Sequence, residues 1–304
     1  MTPRIAWIGL GNMGRGMSTN LVRKASLSRP LILFNRTASR AEQHAATLGD
    51  LAAVAPTLES AITDADIIFT SLGSDSAVTS TLDFALSLPI TGKLFVETST
   101  VAPSTASALA SRITAAGASY VSMPVFGAPP MADAGVVVCV LAGPAEAVAR
   151  VKPYAAGVIG RANIDLSGQD PGQALLLKVL GNTFIFGMIE TLGAGLVAAE
   201  KTGLGVGYIQ QFVNLLFPGP MAMYAERMVV GTYWRKEPLG PVDVARKDAG
   251  HALALAEGAG ARLPVVELAE GHLRAVKEYM GERGDIAGIY GALRQEAGLK
   301  FENE

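Results

Sequence analysis

One long apolar segment, from Asp170 to Gly203, constrains the fold more than any other feature of the chain. Asp170 can cap the first turn of a helix, and glycine is typical just past a helix end. The roughly 31 residues between them would form a helix ~45 Å long. A helix that is apolar on nearly every face must be buried in protein or in a membrane. Polar residues (Lys178, Asn182, Glu190) and several glycines interrupt the segment, which favours a core helix over a membrane span.

Two polar residues of this segment are candidates for chemistry. Lys178 and Asn182 are four residues apart, so a helix places them on one face. Burying a lysine among apolar residues is costly unless it has a partner or a chemical role. One interpretation is a general acid whose amine is oriented by Asn182. The other is a lysine that extends to solvent beside a structural asparagine, and this segment alone favours neither.

The chain begins with a strand, a glycine-rich turn and a helix. The apolar run Ile5–Ile8 is followed at once by the spacing G-x-G-x-x-G. The turn consists of Gly9, Leu10, Gly11, Asn12, Met13 and Gly14. In this context the first glycine makes the tight turn, the second lets a pyrophosphate approach, and the third allows close helix–strand packing. The motif therefore predicts a dinucleotide site in which the helix N-terminus faces the phosphates.

The end of the second predicted strand, Leu31–Phe34, indicates which dinucleotide is bound. Sites for NAD usually have Asp or Glu there to bind the ribose 2′-hydroxyl. This chain has Asn35, Arg36 and Thr37, so no carboxylate repels a 2′-phosphate and Arg36 could pair with it. The alternative is a solvated arginine at a strand end. The sequence favours NADP over NAD.

Strands and helices alternate throughout the first half, which predicts an α/β fold with a doubly wound, mostly parallel Rossmann sheet. The later predicted strands are Ala52–Val54, Ile67–Leu72, Leu94–Glu97, Ser119–Ser122, Val136–Leu141 and Ile164–Leu166. Loops at the carboxyl ends of parallel strands line the ligand crevice, so Leu72, Gly73 and Thr100 are candidates for contact with the nicotinamide half, and ordinary turn positions are the equal alternative for each. The proline-rich segment Met123–Met131 reads as a stiff loop that holds a small substrate or only connects two strands.

The second half reads as helical throughout. Its predicted helices are Val206–Phe217, Met221–Val230, Val242–Glu257, Val265–Met280 and Asp285–Ala297. We therefore expect a dinucleotide-binding domain at residues 1–168 and an all-α domain at 169–304 that begins with the long helix, which the family resemblance described below implies to be an interdomain helix. An all-helical domain with so much apolar surface commonly forms a dimer interface.

Composition bears on partners and location. The net charge is -2, so nothing indicates binding to nucleic acid or to an anionic membrane. The three histidines have no metal-ligand spacing, so we expect no metal site. Cys139, the single cysteine, lies in an apolar run and reads as a core thiol. The chain enters its first strand directly after Met1–Arg4 with no signal or transit pattern, so a cytoplasmic enzyme is expected.

Taken together, these motifs resemble those of the β-hydroxyacid dehydrogenase family over nearly the whole chain. That family includes 3-hydroxyisobutyrate dehydrogenases and semialdehyde reductases and is related to 6-phosphogluconate dehydrogenase and the imine reductases. The resemblance is carried by Gly9–Gly14 with Met17, Asn20 and Leu21, by Asn35-Arg36-Thr37, by Glu97–Pro103, by G-x₅-K-x₃-N at Gly172, Lys178 and Asn182, and by Lys247-Asp248. It implies that Lys178 is the general acid/base, that Asn182 supports it, and that Thr100 and Lys247 contact the cofactor. It also implies a homodimer or homotetramer that assembles through the helical domains.

The substrate loop departs from the family pattern. Members that act on hydroxyacids have Pro-Val-Ser-Gly-Gly there, and its serine and backbone N–H groups bind a carboxylate. This chain has Phe126, Gly127 and Ala128 after Pro-Val, and the prolines that follow have no N–H to donate. The pattern is similar to the loop of imine reductases, which usually have Asp or Tyr at the position of Lys178.

The sequence thus predicts an NADPH-dependent reductase of a small aldehyde, semialdehyde or ketone. Lys178 would act as its general acid/base, and Phe126, Gly127 and Ala128 would line the substrate site. The enzymatic alternative is reduction of cyclic imines. An alternative of another class is a non-catalytic NADP-binding interaction module.

Overall fold

The chain divides into two compact units, Met1–Lys178 and Val179–Glu304, and the computed structural model describes residues 2–303. The boundary lies inside the long helix, so the first turns of that helix belong to the first unit. The predicted boundary, after residue 168, places the whole helix in the second domain instead. Each unit has its own apolar core.

The first unit is built on one mostly parallel sheet, as expected for a Rossmann domain. Its strands are β1 (Ile5–Ile8), β2 (Leu31–Phe34), β3 (Ala52–Val54), β4 (Ile67–Thr70), β5 (Leu94–Glu97), β6 (Ser119–Ser122), β7 (Val125–Phe126), β8 (Val137–Gly143) and β9 (Gly160–Ser167). Strands β3-β2-β1-β4-β5-β6 are parallel neighbours in that order. Strand β8 pairs antiparallel with β6 and β7, and β9 pairs parallel with β8. The strand order reverses between β1 and β4, which is where doubly wound sheets bind their ligands.

Helices connect these strands and cover the sheet. They are α1 (Asn12–Lys24), α2 (Ala38–Leu48), α3 (Leu58–Thr63), α4 (Asp75–Leu86), α5 (Pro103–Ala115), α6 (Pro129–Ala134) and α7 (Ala145–Val151). Helix α8 (Gly172–Lys201) follows β9 and continues into the second unit. Strands β1, β4 and β5 are buried along their whole length, which explains their continuous apolar sequences. Trp7 and Phe69 stack on adjacent strands with their ring centroids 5.3 Å apart.

The prediction of a loop over Met123–Met131 is wrong in part. Residues Val125–Phe126 form β7 and pair with β8, and α6 begins at Pro129. Proline is favoured at the first position of a helix, because the N–H that it lacks would have no intrahelical partner there. The prolines therefore start a helix as well as stiffening the chain. Gly135 ends α6 in a left-handed conformation, with φ +69°.

The second unit contains the rest of α8 and further helices. They are α9 (Val206–Leu216), α10 (Pro220–Val230), α11 (Thr232–Arg235), α12 (Val242–Gly258), α13 (Pro264–Met280) and α14 (Ile289–Glu296). The short helix α11 was not predicted; it begins after Gly231, which ends α10 with φ +76°. Within this unit, Phe186, Ile189 and Leu192 of α8 belong to the buried core.

Helix α8 begins where the sequence predicts. The backbone N–H of Gly172 donates to the carboxylate of Asp170 at 2.8 Å, so Asp170 supports the first turn. Within residues 2–303, α8 is also the one helix long and apolar enough to cross a membrane, with 39% of its most apolar window buried. Core helices of soluble proteins pass the same test. Leu180 and Phe184 are exposed on the described chain, so α8 is not covered on every face.

Candidate active site

The glycine-rich turn lies between β1 and α1, where the strand order reverses. Gly9 has φ +97°, and a Cβ there would meet the carbonyl oxygen of Ser71 at 2.2 Å. A Cβ at Gly14 would meet the carbonyl oxygen of Gly9 at 2.2 Å. Only glycine fits at these two positions. A Cβ at Gly11, by contrast, would meet nothing within 4 Å, so the turn is open there. Such an open backbone at a helix N-terminus fits a pyrophosphate.

Asn35, at the end of β2, supports the same turn. Its Oδ1 accepts a hydrogen bond from the N–H of Leu10 at 3.0 Å, and its Nδ2 donates to the carbonyl of Thr37 at 3.1 Å. Arg36 is exposed beside it. In the sequence, Asn35 indicates only that a carboxylate is missing at the end of β2. The structure adds a second role, because the side chain holds the backbone of the glycine turn.

The loops after β4 and β5 are tied together by a buried carboxylate. The N–H of Leu72 donates to Ser99 Oγ at 2.7 Å, and the N–H of Ser99 donates to Glu97 Oε1 at 2.7 Å. Thr70 Oγ1 donates to the other oxygen of Glu97 at 2.6 Å. These contacts bring the predicted nicotinamide-side residue Leu72 next to the loop that carries Thr100. The sequence motif Glu97–Pro103 contains this residue, but no role was predicted for it, although its place at the end of a central strand was a signal.

Lys178 lies against Phe126 within the first unit. Its Nζ is 4.6 Å from the centroid of the phenyl ring, which is within the range of a cation–π contact. Lys178 is only 9% exposed, and Phe126 is half-buried. The residue that departs from the family pattern and the candidate proton donor are therefore neighbours. Gly127 and Ala128 follow, and Gly127 adopts φ +149°.

Helix α6, which follows these residues, is docked on α1. A Cβ on Gly16 of α1 would meet Asp133 Oδ1 at 2.5 Å, so the two helices are in close contact. Asn20 Nδ2 donates to the carbonyl of Ala132 at 2.8 Å. The helix that starts at the glycine turn thus also supports the segment after Phe126. This is a structural reason for the presence of Asn20 in the amino-terminal motif.

In the second unit, Asn182 belongs to a cluster with the late Lys-Asp pair. Asn182 Nδ2 donates to Asp248 Oδ2 at 2.9 Å, and Lys247 Nζ lies 3.2 Å from Asp248 Oδ1. Asp248 is buried. Because the amide nitrogen binds a carboxylate, the orientation of the asparagine is determined and its oxygen remains an acceptor. Lys247 was predicted from the sequence, whereas the pairing of Asp248 with Asn182 was not.

Two other titratable side chains, Cys139 and His272, have shifted pKa values that their burial and hydrogen bonds explain. Burial raises the pKa of the Cys139 thiol to about 12, as expected for a core cysteine and not for a nucleophile. His272 is buried between Glu190 and Glu296, and the hydrogen bond that its Nδ1 donates to the Glu190 carboxylate raises its pKa. Within residues 2–303, no group of three or more His, Cys, Asp or Glu side chains could hold a metal ion.

The fold and the glycine turn define a dinucleotide-binding protein. Residues 4–161 match the family described as the NAD-binding domain of 6-phosphogluconate dehydrogenase. The chain belongs to the β-hydroxyacid dehydrogenase family, which contains the 3-hydroxyisobutyrate dehydrogenases and is related to 6-phosphogluconate dehydrogenase and the imine reductases. The predicted fold class is confirmed.

Similar proteins agree with this assignment over almost the whole chain. An NADH-dependent oxidoreductase of Aspergillus ustus is 40% identical and covers 95% of this chain and 98% of its own length. A 3-hydroxyisobutyrate dehydrogenase of Pseudomonas aeruginosa is 28% identical, with 91% and 94% covered. Both are oxidoreductases by name, and the chain is therefore an enzyme of that class.

Solved structures share the fold. The 3-hydroxyisobutyrate dehydrogenase of Mycobacterium tuberculosis, with L-serine, has a TM-score of 0.80 at 22% identity and covers 97% of this chain and all of its own. An imine reductase of Streptomyces aurantiacus has a TM-score of 0.62 at 22% identity, with 97% and 99% covered.

Proposed function

We propose that this oxidoreductase uses NADPH to reduce a small carbonyl compound, with Lys178 as the proton donor. The observation that carries the proposal is the buried ammonium of Lys178 over the ring of Phe126, at 4.6 Å. Bound NADPH supplies the hydride. Lys178 gives a proton to the oxygen of the carbonyl as negative charge develops there, and its positive charge stabilises that oxygen.

Asn182 follows Lys178 by one helical turn, and we assign it the role of orienting the lysine amine. Support comes from Asp248, which accepts a hydrogen bond from Asn182 Nδ2. This bond fixes which end of the Asn182 amide is the oxygen, and that oxygen can accept from a donor such as an amine. Lys247, adjacent to Asp248, would contact the cofactor, as the family resemblance implies.

Different parts of the first unit would bind the cofactor. The glycine turn, including Leu10, Asn12 and Met13, would hold the pyrophosphate, while Leu72, Gly73 and Thr100 would contact the nicotinamide half. Asn35, Arg36 and Thr37 would surround the ribose 2′-phosphate. The preference for NADP rests on the exposed cation of Arg36 and on the missing carboxylate. The relative from Aspergillus ustus is named NADH-dependent, so NADH is the competing cofactor.

Phe126 shapes the preference of the substrate site. A carboxylate that leaves water needs hydrogen-bond donors, and a phenyl ring has none to offer. The N–H groups of Gly127 and Ala128 remain, so rejection of carboxylates need not be complete. We therefore expect larger, less polar carbonyls to react better than glyoxylate or succinic semialdehyde.

Phe126→Ser should shift the ratio of kcat/KM values towards semialdehydes that carry a carboxylate. The new hydroxyl would add a hydrogen bond to a charged group, which contributes ~1.5–3 kcal/mol, or roughly a 10- to 150-fold change in the ratio. Phe126→Ala is the matched control, because it removes the ring without adding a donor. If Ser and Ala change the ratio equally, the carboxylate is not bound at this position.

Reduction of cyclic imines is the second candidate. It is favoured by the segment from Phe126 to Met131, which is similar to the loop of imine reductases. Lys178 argues against it, because an iminium substrate is already cationic and a lysine proton donor is less useful there. Measuring NADPH oxidation with semialdehydes, hydrophobic ketones and cyclic imines separates the two. A protein that binds NADPH but turns over none of these substrates would instead be an interaction module.

We also propose that the protein is a homodimer or homotetramer assembled through its helical unit. Several large apolar side chains of this unit are exposed on the described chain, including Phe184 at 79%, Tyr208 at 67% and Leu215 at 78%. A single folded chain rarely leaves so many large apolar groups in water, so a second copy is the natural cover. The cytoplasmic location and the lack of nucleic-acid and membrane partners stay predictions.

Leu215→Glu should therefore lower the molar mass measured by light scattering towards that of one chain. A carboxylate placed in an apolar interface loses its hydration without gaining a partner. Leu51→Glu is the control, because Leu51 is equally apolar and 51% exposed but lies in the first unit. A wild-type protein that is monomeric, or a Leu215 variant that keeps the wild-type mass, would contradict this proposal.

A further inference from the structure

Glu97 is a buried carboxylate at the carboxyl end of a central strand of the sheet. It is 0% exposed, and both of its oxygens accept hydrogen bonds, from the N–H of Ser99 at 2.7 Å and from the hydroxyl of Thr70 at 2.6 Å. Ser99 Oγ in turn accepts the N–H of Leu72 at 2.7 Å. Thr98 Oγ1 donates to the carbonyl of Thr70 at 2.7 Å. The carboxylate therefore links the end of β4 to the loop after β5, and Ser99 links that loop to the loop after β4.

We propose that Glu97 is a positioning residue whose ionised carboxylate holds the loops that receive the nicotinamide, so that cofactor affinity falls when this carboxyl is protonated. The inference rests on the proposed placement of the nicotinamide beside Leu72 and Thr100. Glu97 does not touch the reacting atoms in this account. It acts through Ser99, which fixes the direction of the Leu72 N–H.

The hydrogen bonds explain why the charge matters. Bonds to an ionised carboxylate are roughly twice as strong as bonds between neutral groups. An ionised Glu97 accepts from both Ser99 and Thr70 with its two oxygens. A protonated Glu97 must itself donate with one oxygen, so the Thr70 hydroxyl has to turn and the bond to Ser99 weakens. The loops are then held less firmly.

Burial of Glu97 places the protonation of its carboxylate near neutral pH. Burial raises the pKa of Glu97 to about 6, against the opposing effect of hydrogen bonds from Ser99 and Thr70. Glu97 lies between two paired residues of the sheet, Thr70 of β4 and Ser122 of β6. The titratable neighbour is Tyr120 on β6, whose pKa burial raises well above its usual value, so Tyr120 is neutral here. Glu97 is thus the group expected to change charge.

Glu97→Gln tests the proposal with little change of shape. Its amide oxygen can accept from Ser99, and its NH₂ group can donate to the Thr70 hydroxyl, as the protonated acid would. The dissociation constants of NADPH and NADH are measured by cofactor fluorescence from about pH 5 to about pH 8. We expect wild-type affinity to rise roughly 3- to 10-fold across a midpoint near pH ~6. The Gln variant should match the low-pH wild type throughout.

NADH is included because the 2′-phosphate of NADPH itself titrates, with a pKa of about 6. An effect of Glu97 must appear with both cofactors, whereas an effect of the phosphate appears with NADPH alone. Asp83→Asn is the matched control, since Asp83 is a surface carboxyl of the same unit, paired with Arg112. The control should keep the wild-type pH profile.

A second variant keeps the proposal testable if the Gln protein does not fold. Thr70→Val removes one hydrogen bond that lowers the Glu97 pKa, so the midpoint should move upward by roughly one unit. A Gln variant with the wild-type pH profile, or a Val variant with an unmoved midpoint, would overturn the positioning role. Failure of the wild type to bind either cofactor at any pH would instead overturn the proposed function.

Discussion

Lys178→Met should lower kcat by ~10²-fold or more while NADPH still binds with nearly wild-type affinity. Methionine keeps an unbranched apolar stem of similar length, so the packing of helix α8 is retained. The charge over Phe126 and the transferable proton are both lost. Because the developing alkoxide would then have neither a proton donor nor a nearby cation, the chemical step slows more than substrate binding does.

The measurement is kcat at saturating NADPH, together with the dissociation constant of NADPH for each variant. Lys201→Met, at the exposed end of the same helix, is the control and should keep wild-type kcat. Lys178→Ala should behave like the methionine variant, with an added loss of stability from the cavity. A methionine variant with wild-type kcat would show that the proton comes from elsewhere.

Arg36→Ala should weaken NADPH much more than NADH. Only NADPH carries the 2′-phosphate that Arg36 would pair with, and losing one charge-assisted hydrogen bond costs ~1.5–3 kcal/mol, or roughly 10- to 150-fold in affinity. The exposed position of Arg36 beyond β2 leaves its guanidinium available for such a contact. The effect should shrink as salt is added, because an exposed ion pair is screened.

The comparison uses both cofactors on the same protein preparations. Arg29→Ala removes another exposed arginine of the first unit and should change neither affinity. An equal loss for NADPH and NADH would assign Arg36 to the fold. A wild type that prefers NADH would show that the chain follows its relative from Aspergillus ustus in cofactor use.

Local chemistry alone determined much of the fold. Strands β1, β2, β3, β5 and β6 have the predicted bounds, because short apolar runs between turn residues leave few other choices. The glycine turn was recognisable because Gly9 and Gly14 occupy positions where a Cβ would collide with backbone. The segment Met123–Met131 was misread because a proline that stiffens a loop is equally suited to begin a helix.

Only the tertiary structure decided which side chains meet. Lys178 lies over Phe126, Asn182 binds Asp248, and Glu97 joins Thr70 to Ser99. The first two pairs join residues far apart in sequence, and no local pattern or spacing determines such a contact. The charge behaviour of Glu97 likewise depends on burial by neighbouring strands, which raises its pKa. The sequence by itself determined most of the elements and the dinucleotide motif, because these depend on local sterics and periodicity, and its resemblance to a known family indicated the candidate lysine. The side chains that contact these residues are determined by the packing of segments that are distant in sequence.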